Sequence, residues 1–422
     1  MANCRFGCLF VGLLLPAIAT IVSADDAKDQ AIKKERQRIE GTWRIVALVV
    51  DGAAAKQEDA MKLTIVNGSD GTWSLRSDDR EISKGTSTFD PTQTPKTIDF
   101  TPTVGETNGK QHLGIYEIGA ETRRLCFAPP GKQRPSEFSS AAGSEQILVV
   151  FERVKDATPM EVDQDLPFVE PKNERQTLDV YAPTEGDGHP VVLWIHGGGW
   201  RRGDKANVQQ KPQAFVDRGF VFVSTNYRFV PDVTVEQQAG DIARAIRWIH
   251  DHAKDYGGSP DSIFIAGHSA GAHLAALVCT DKRYLKAVRL SLLNIAGCIP
   301  VDSAAYDVPR RIKLSVLRGK RFYTNVFTDD EDKQKAVSPI AHVSKGKSIP
   351  PFLILHVADR PAAKVQSEAF AKALRESDVD ATVFAVEDKT HTTINSELGQ
   401  PDDPPTKALF GFLDQVLKAR YQ

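Results

Sequence analysis

The sequence predicts two dissimilar domains, a small antiparallel β barrel followed by a mostly parallel sheet covered by helices on both faces. Three observations carry this expectation. Residues 39–154 hold short β-rich runs broken by turn residues, with no helical period between them. Residues 155–175, "KDATPMEVDQDLPFVEPKNER", hold prolines and charges with little periodicity and are assigned to a linker. From residue 176 to 422, apolar runs alternate with helical segments, the pattern of a parallel sheet buried on both faces. A chain of 422 residues is long enough for each part to bury its own core.

Bulk composition narrows the partners. The 53 basic and 55 acidic residues nearly cancel, and no long basic run occurs, so no nucleic-acid partner is expected. The first 24 residues place Arg5 ahead of an apolar stretch from Leu9 and end on Val22-Ser23-Ala24. That order is expected of a signal peptide, so the remainder is expected to be exported, periplasmic or extracellular. The rival reading is an uncleaved anchor, but the apolar stretch is shorter than the roughly 20 residues of a bilayer span. No other segment is apolar enough for one. Beyond residue 24 the cysteines are Cys126, Cys279 and Cys298, an odd number without CxxC spacing. Neither a zinc site nor a disulfide framework is indicated, and which pair could join, if any, stays open.

In the first domain "WRIVALVVDG" reads as a strand and "KLTIVNGSDGTWSLRS" as a hairpin turning at Asn67, Gly68, Asp70 and Gly71. "KTIDFTP", "HLGIYEIG", "RRLCFAPP" and "QILVVFERV" continue the series to about seven strands. Residues 25–38 are charged and read as a short helix or a lead-in. "GTWRIVALVVDG", "PKTIDFTP", "GIYEIGAETRRLCFA" and "RPSEF" resemble a lipocalin-like domain of unknown function frequent in secreted planctomycete proteins. The resemblance supports a barrel over residues 39–154 and implies no activity. The one histidine of the domain, His112, reads as a loop residue, and the domain is expected to bind an unknown ligand or surface.

In the second domain the chemistry gathers around "IFIAGHSAGAHLAAL". Ser269 lies between a strand and a helix with Gly267 and Gly271 on either side, as a nucleophile elbow requires. A serine hydroxyl needs a base. His391, in the loop "EDKTHTTIN" between the last strand and the last helix, stands where that base belongs. His356 lies within a buried strand, and His342 precedes it. The acid is assigned to Asp359, just past the apolar run of "PPFLILHVADRP", where a carboxylate can orient the imidazole. Asp380, Glu387 and Asp388 compete for the role. "HGGGW", residues 196–200, also follows a strand. Its glycines free backbone N–H groups to face a ligand, so Gly198, Gly199 and the N–H of Ala270 are the expected oxyanion donors. A phosphate loop is the rival, but neither GxxxxGK[ST] nor GxGxxG occurs. His250 and His252, two apart on one helix, do not share a face as metal ligands would. His268 and His273 are expected to pack around the elbow.

These motifs together resemble the α/β-hydrolase superfamily, in particular HGGG-motif esterases of the feruloyl and acetylxylan esterase type and the kynurenine formamidase type, over residues 176–420. Members of that family often carry a glycine two residues before the acid, where this chain has Val357, which leaves the acid's loop geometry open. The resemblance implies a carboxylesterase-type serine hydrolase acting on a small-molecule or oligosaccharide ester, without metal or organic cofactor. A peptidase or amidase on the same fold is the first alternative, and an inactive hydrolase fold serving as a binding module is the second. Residues 300–349 are expected to form the cap over the pocket.

Overall fold

The computed structural model describes residues 24–421, save residues 79, 106, 155 and 156. The predicted signal peptide lies outside the described residues but for Ala24. The chain divides into two compact units, Met1–Asp156 and Ala157–Gln422.

The first unit begins with helix α1 (Ala24–Ile39), then β1 (Gly41–Val50), the two-residue β2 (Ala53–Ala54), the single turn α2 (Gln57–Ala60), β3 (Leu63–Asn67), β4 (Thr72–Ser77) and β5 (Arg80–Asp90). It continues through β6 (Thr97–Pro102), β7 (His112–Ile118), β8 (Thr122–Phe127) and β9 (Ile147–Val154). Every neighbouring pair from β3 to β9 is antiparallel, and β1 pairs with both β3 and β9, closing an eight-stranded barrel with β2 at its margin. Closure leaves these strands no exposed edge. The strand that sequence patterning missed is β5. Its outward positions are polar except Ile82 and its inward ones are Ser83, Gly85, Ser87 and Phe89, so no apolar alternation marks it. One end of the barrel is covered by α1, whose Ile39 joins Trp43, Tyr116 and Phe151 in the core.

The second unit opens with β10 (Met160–Pro167), β11 (Thr177–Pro183) and β12 (His189–Ile195). There follow α3 (Lys211–Val216), β13 (Val221–Thr225), α4 (Val235–His252), β14 (Gly258–His268), α5 (Ala270–Thr280), α6 (Lys282–Ala287) and β15 (Ile295–Val301). Helices α7 (Val308–Lys313), α8 (Leu317–Phe327) and α9 (Glu331–Ala336) form an insertion before β16 (Phe352–Val357). The chain ends with α10 (Pro361–Glu376), β17 (Ala381–Val386), α11 (Thr393–Ser396) and α12 (Pro404–Arg420). The sheet order is β10-β11-β13-β12-β14-β15-β16-β17; β11 runs antiparallel to both of its neighbours, β10 and β13, and the remaining neighbours are parallel. Two apolar layers, one on each face, bury the sheet. This is the order of an α/β-hydrolase sheet. The assignment of residues 155–175 to a linker is corrected: Met160–Pro167 is a strand paired with β11. It lies at the sheet's margin, mostly polar and exposed or half-buried, and so lacks the apolar signature of the inner strands.

Candidate active site

The site is assembled at the C-terminal ends of the parallel strands, where chain reversals leave side chains free of the sheet. Strand β14 ends at His268 and α5 starts at Ala270, so Ser269 occupies the junction alone. Its backbone is held at φ 57°, ψ −111°, a conformation rare for a residue with a side chain. Two contacts hold it there: the Ser269 N–H donates to the Val301 carbonyl at 2.8 Å, and its carbonyl accepts from His273 at 3.2 Å. The flanking glycines are demanded by space. A Cβ on Gly271 would lie 2.1 Å from the Ile195 carbonyl oxygen, and one on Gly267 would lie 2.7 Å from Gly271 backbone.

His391 Nε2 lies 3.0 Å from Ser269 Oγ. With the proton on Nδ1, Nε2 offers its lone pair to the hydroxyl. The Nδ1–H points to a carboxylate 2.6 Å away, and that carboxylate belongs to Asp302. The assignment of the acid to Asp359 is therefore corrected. Asp359 is exposed in the turn after β16, whereas Asp302 is fully buried directly after β15. The two strand ends are neighbours, with Val301 opposite Leu355 and the Asp302 N–H donating to the Leu355 carbonyl at 2.8 Å. A carboxylate from either end could approach the His391 loop, and strand order alone does not choose between them. Asp380, Glu387 and Asp388 do not contact His391 among the described residues.

Burial by itself would raise the Asp302 carboxyl, but the His391 hydrogen bond, the Arg360 charge and the Val357 N–H (3.1 Å) hold it below the ordinary carboxylate range. Arg360 pairs with Asp302 Oδ2 and donates to the Asp302 carbonyl at 3.3 Å. Neither Asp302 nor Arg360 stood out in the sequence. The available signal was that "NIAGCIPVD" ends an apolar run on a carboxylate just as "FLILHVAD" does.

The glycine loop meets this group from the end of β12. A Cβ on Gly197 would come within 3.2 Å of Ser269 Cβ and 2.9 Å of His268 Nδ1. Gly198 (φ 123°) turns so tightly that a Cβ would strike the Arg202 carbonyl at 1.9 Å. Gly199 (φ 63°) approaches Phe322 of α8, a Cβ there lying 3.1 Å from the ring. The loop is anchored by Trp200, whose indole N–H donates to His273 Nδ1 at 3.2 Å and whose carbonyl accepts from Gln238 at 2.7 Å. Ala270 opens α5, where the first-turn N–H groups have no acceptor four residues back in the helix. Gly198, Gly199 and Ala270 thus converge on the loops that surround Ser269. From the insertion, α8 packs on this loop, with Phe322, Tyr323 and Phe327 around Trp200.

His268, His273 and His196 pack around the elbow as neutral groups. Burial pushes the His268 imidazole down to about 3, and those of His196 and His273 to about 4. His268 Nε2 donates to the His391 carbonyl at 2.8 Å, so it fixes the loop that carries the base. His268, Asp302 and His391 offer atoms within 4.8 Å of one another, close enough for a metal ion. Each already serves a hydrogen bond in the chain from Ser269 to Asp302 or to the His391 backbone, which makes the cluster suited to moving a proton. His250 and His252 pair with Asp251 and Asp255 on the surface of α4. His112 stacks on Phe100 at 4.9 Å and is half-buried in the barrel, not a free loop residue. Cys126, Cys279 and Cys298 are buried free thiols.

These buried neutral histidines set a pH dependence. In the unfolded chain they take protons near pH 6.5, and in the folded unit only near pH 3–4. The unfolded state therefore binds more protons through that window, and stability is complete above about pH 6.5 and falls on acidification. Each histidine removes up to about 1.4 kcal/mol per pH unit in the window. Calorimetry of the full chain is expected to show the melting temperature of the second unit dropping by more than about 5 °C between pH 7.5 and pH 5. A transition that does not move would contradict neutral burial.

Residues 178–374 match the protein family described as BD-FAE. Esterase LipQ of Mycobacterium tuberculosis is 30% identical over 300 residues, 65% of this chain and 66% of that protein. A probable isoprenylcysteine alpha-carbonyl methylesterase of rice (Oryza sativa subsp. japonica) is 27% identical over 235 residues, 52% of this chain and 55% of that protein. The chain thus spans between about half and just under two thirds of the length of these relatives. Esterase B of Lactobacillus rhamnosis superposes with a TM-score of 0.54 at 21% identity, covering 64% of this chain and 90% of that one, a likeness of fold. Among the described residues no helix is long and apolar enough to cross a membrane. The strand order and the likeness to esterase B agree on an α/β-hydrolase fold for the second unit, and residues 178–374 of that unit are the part similar to BD-FAE.

Proposed function

We propose that the protein is a serine carboxylic ester hydrolase working through an acyl-enzyme. The observation that carries the reading is the continuous hydrogen-bond line from Ser269 Oγ through His391 to buried Asp302. Ser269 Oγ attacks the ester carbonyl carbon as His391 Nε2 takes its proton, and Asp302 stabilises the imidazolium that results. Negative charge on the tetrahedral oxygen falls to the backbone N–H groups of Gly198, Gly199 and Ala270, aided by the positive end of α5. Collapse breaks the bond to the leaving alkoxide, which receives the proton from His391. Water, deprotonated by the same imidazole, then attacks the acyl carbon and releases the acid and Ser269.

The signal-like composition of the first 24 residues supports an exported enzyme, and export supports acylated carbohydrates as the natural esters. Eight antiparallel strands closed under an N-terminal helix support reading residues 39–154 as a lipocalin-like domain. The acyl-enzyme itself is open to direct test. Rapid acid quench of the enzyme turning over a p-nitrophenyl alkanoate, followed by peptide mass spectrometry, is expected to find the acyl mass on the peptide containing Ser269. Turnover with that peptide unlabelled, or labelled on another residue, would refute the mechanism.

A further inference from the structure

The barrel encloses a cavity of about 340 Å³. Its walls are almost wholly apolar, formed by side chains such as Ile45, Leu75, Phe100, Leu125 and Val149. On β8 the inward positions are Arg123, Leu125 and Phe127, and all three line it. Arg123 is therefore a cation set into an apolar wall, only 2% exposed. Its Nε and Nη2 have no hydrogen-bond acceptor among the described residues.

The neighbouring arginine shows what is missing. Arg153 also lies over Trp43, 4.2 Å from the ring, but it donates to the backbone carbonyls of Arg38 and Glu40. Arg123 lies 5.0 Å from Trp43 and 4.4 Å from Phe151, and among the described residues its Nε and Nη2 meet no acceptor. A buried guanidinium without an acceptor is costly, and a second cation nearby adds to the cost. Burial and Arg153 together push the Arg123 guanidinium down to about 9. The one buried carboxylate among the described residues of this unit, Glu35, is already engaged by Lys96, Arg38 and Tyr116. Asn67, which also lines the cavity, has a second buried donor, Nδ2, with no acceptor. Both unmet donors belong to one cavity, and an acceptor-bearing anion is the chemistry that answers them.

The remainder of the lining specifies the rest of the ligand. From Arg123 to Phe127 the strand rises about 13 Å, and the wall along it carries no further charge among the residues lining the cavity. We propose that the barrel is a binding site for a medium-chain carboxylate, with the head group on the Arg123 guanidinium and the alkyl chain along the apolar wall. A carboxylate can take two parallel N–H bonds from one guanidinium, which a hydroxyl cannot. The site is built from the first unit alone and is independent of the hydrolase chemistry.

The test uses full-length protein and isothermal titration with decanoate and decan-1-ol. Decanoate is expected to bind at least tenfold more tightly than the alcohol. Arg123→Met is expected to abolish that preference while leaving alcohol affinity within about threefold. Ser83→Trp, which fills the cavity from β5, is expected to remove binding of both. Equal affinity for acid and alcohol in the wild type, or no binding of either, would overturn the proposal. So would decanoate binding that survives Ser83→Trp in a protein whose melting temperature is unchanged. Should Arg123→Met fail to fold, the wild-type comparison and the cavity-filling variant decide.

Discussion

Ser269→Ala is expected to lower kcat for a short p-nitrophenyl ester by about 10⁶-fold, with the fold intact. The size follows from what the change removes. Oγ is the only atom of Ser269 that meets His391, and no other hydroxyl or thiol contacts that imidazole among the described residues. The backbone bonds of Ser269 to Val301 and from His273 do not involve the side chain, so the elbow keeps its supports. Alanine retains the Cβ, and it meets the same positive φ that serine already bears. Steady-state kinetics and calorimetry on the same preparation check both halves. A rate within tenfold of wild type, at unchanged melting temperature, would mean that Ser269 is not the nucleophile.

Asp302→Asn is expected to cost about 10⁴-fold in kcat, whereas Asp359→Asn should stay within about twofold. An amide in place of the Asp302 carboxylate either turns its NH₂ toward His391 Nδ1 or leaves the imidazolium without its countercharge. In the first case the proton moves to Nε2, the nitrogen that must accept from Ser269. Arg360 sharpens the effect, because its Nη1 lies 2.6 Å from His391 Nδ1. Without a carboxylate between them, the guanidinium becomes the dominant donor to that nitrogen and repels the imidazolium. Asp359 is exposed and, among the described residues, makes no hydrogen bond or ion pair with Ser269, His391 or Asp302, so its replacement changes only surface charge. Parallel kcat measurements on the two variants decide. A large loss in Asp359→Asn with Asp302→Asn near wild type would reverse the assignment.

What was legible in the sequence shares one physical character, in that it was local. The elbow is readable because strand, tight turn and helix follow one another within a dozen residues, and because the space around Gly267 and Gly271 excludes any side chain. The glycine loop is readable for the same reason, since Gly198 and Gly199 need backbone angles that other residues avoid. His391 is readable from its position between the last strand and last helix. Elements without such a local signature were lost. Strand β5 faces solvent with mostly polar residues and the cavity with Ser83 and Ser87, so its pairing partners rather than its own pattern make it a strand. Strand β10 is likewise held by its antiparallel ladder to β11.

The sequence by itself determined the two-domain order, the fold class of each part, and the places of Ser269 at a strand–helix junction and of His391 in the loop after the last strand. The acid was decided by tertiary structure alone. Asp302 and Asp359 end equivalent apolar strands in the chain, and only the side-by-side packing of β15 and β16 against the His391 loop distinguishes them. The cavity cation was decided in the same way. "TRRLCF" alternates two arginines that look alike in sequence, and barrel closure turns Arg124 outward to Glu117 and Arg123 inward to a wall that offers it no acceptor. A strand's period of two says that neighbours face opposite ways, but which way is inward depends on strands far along the chain.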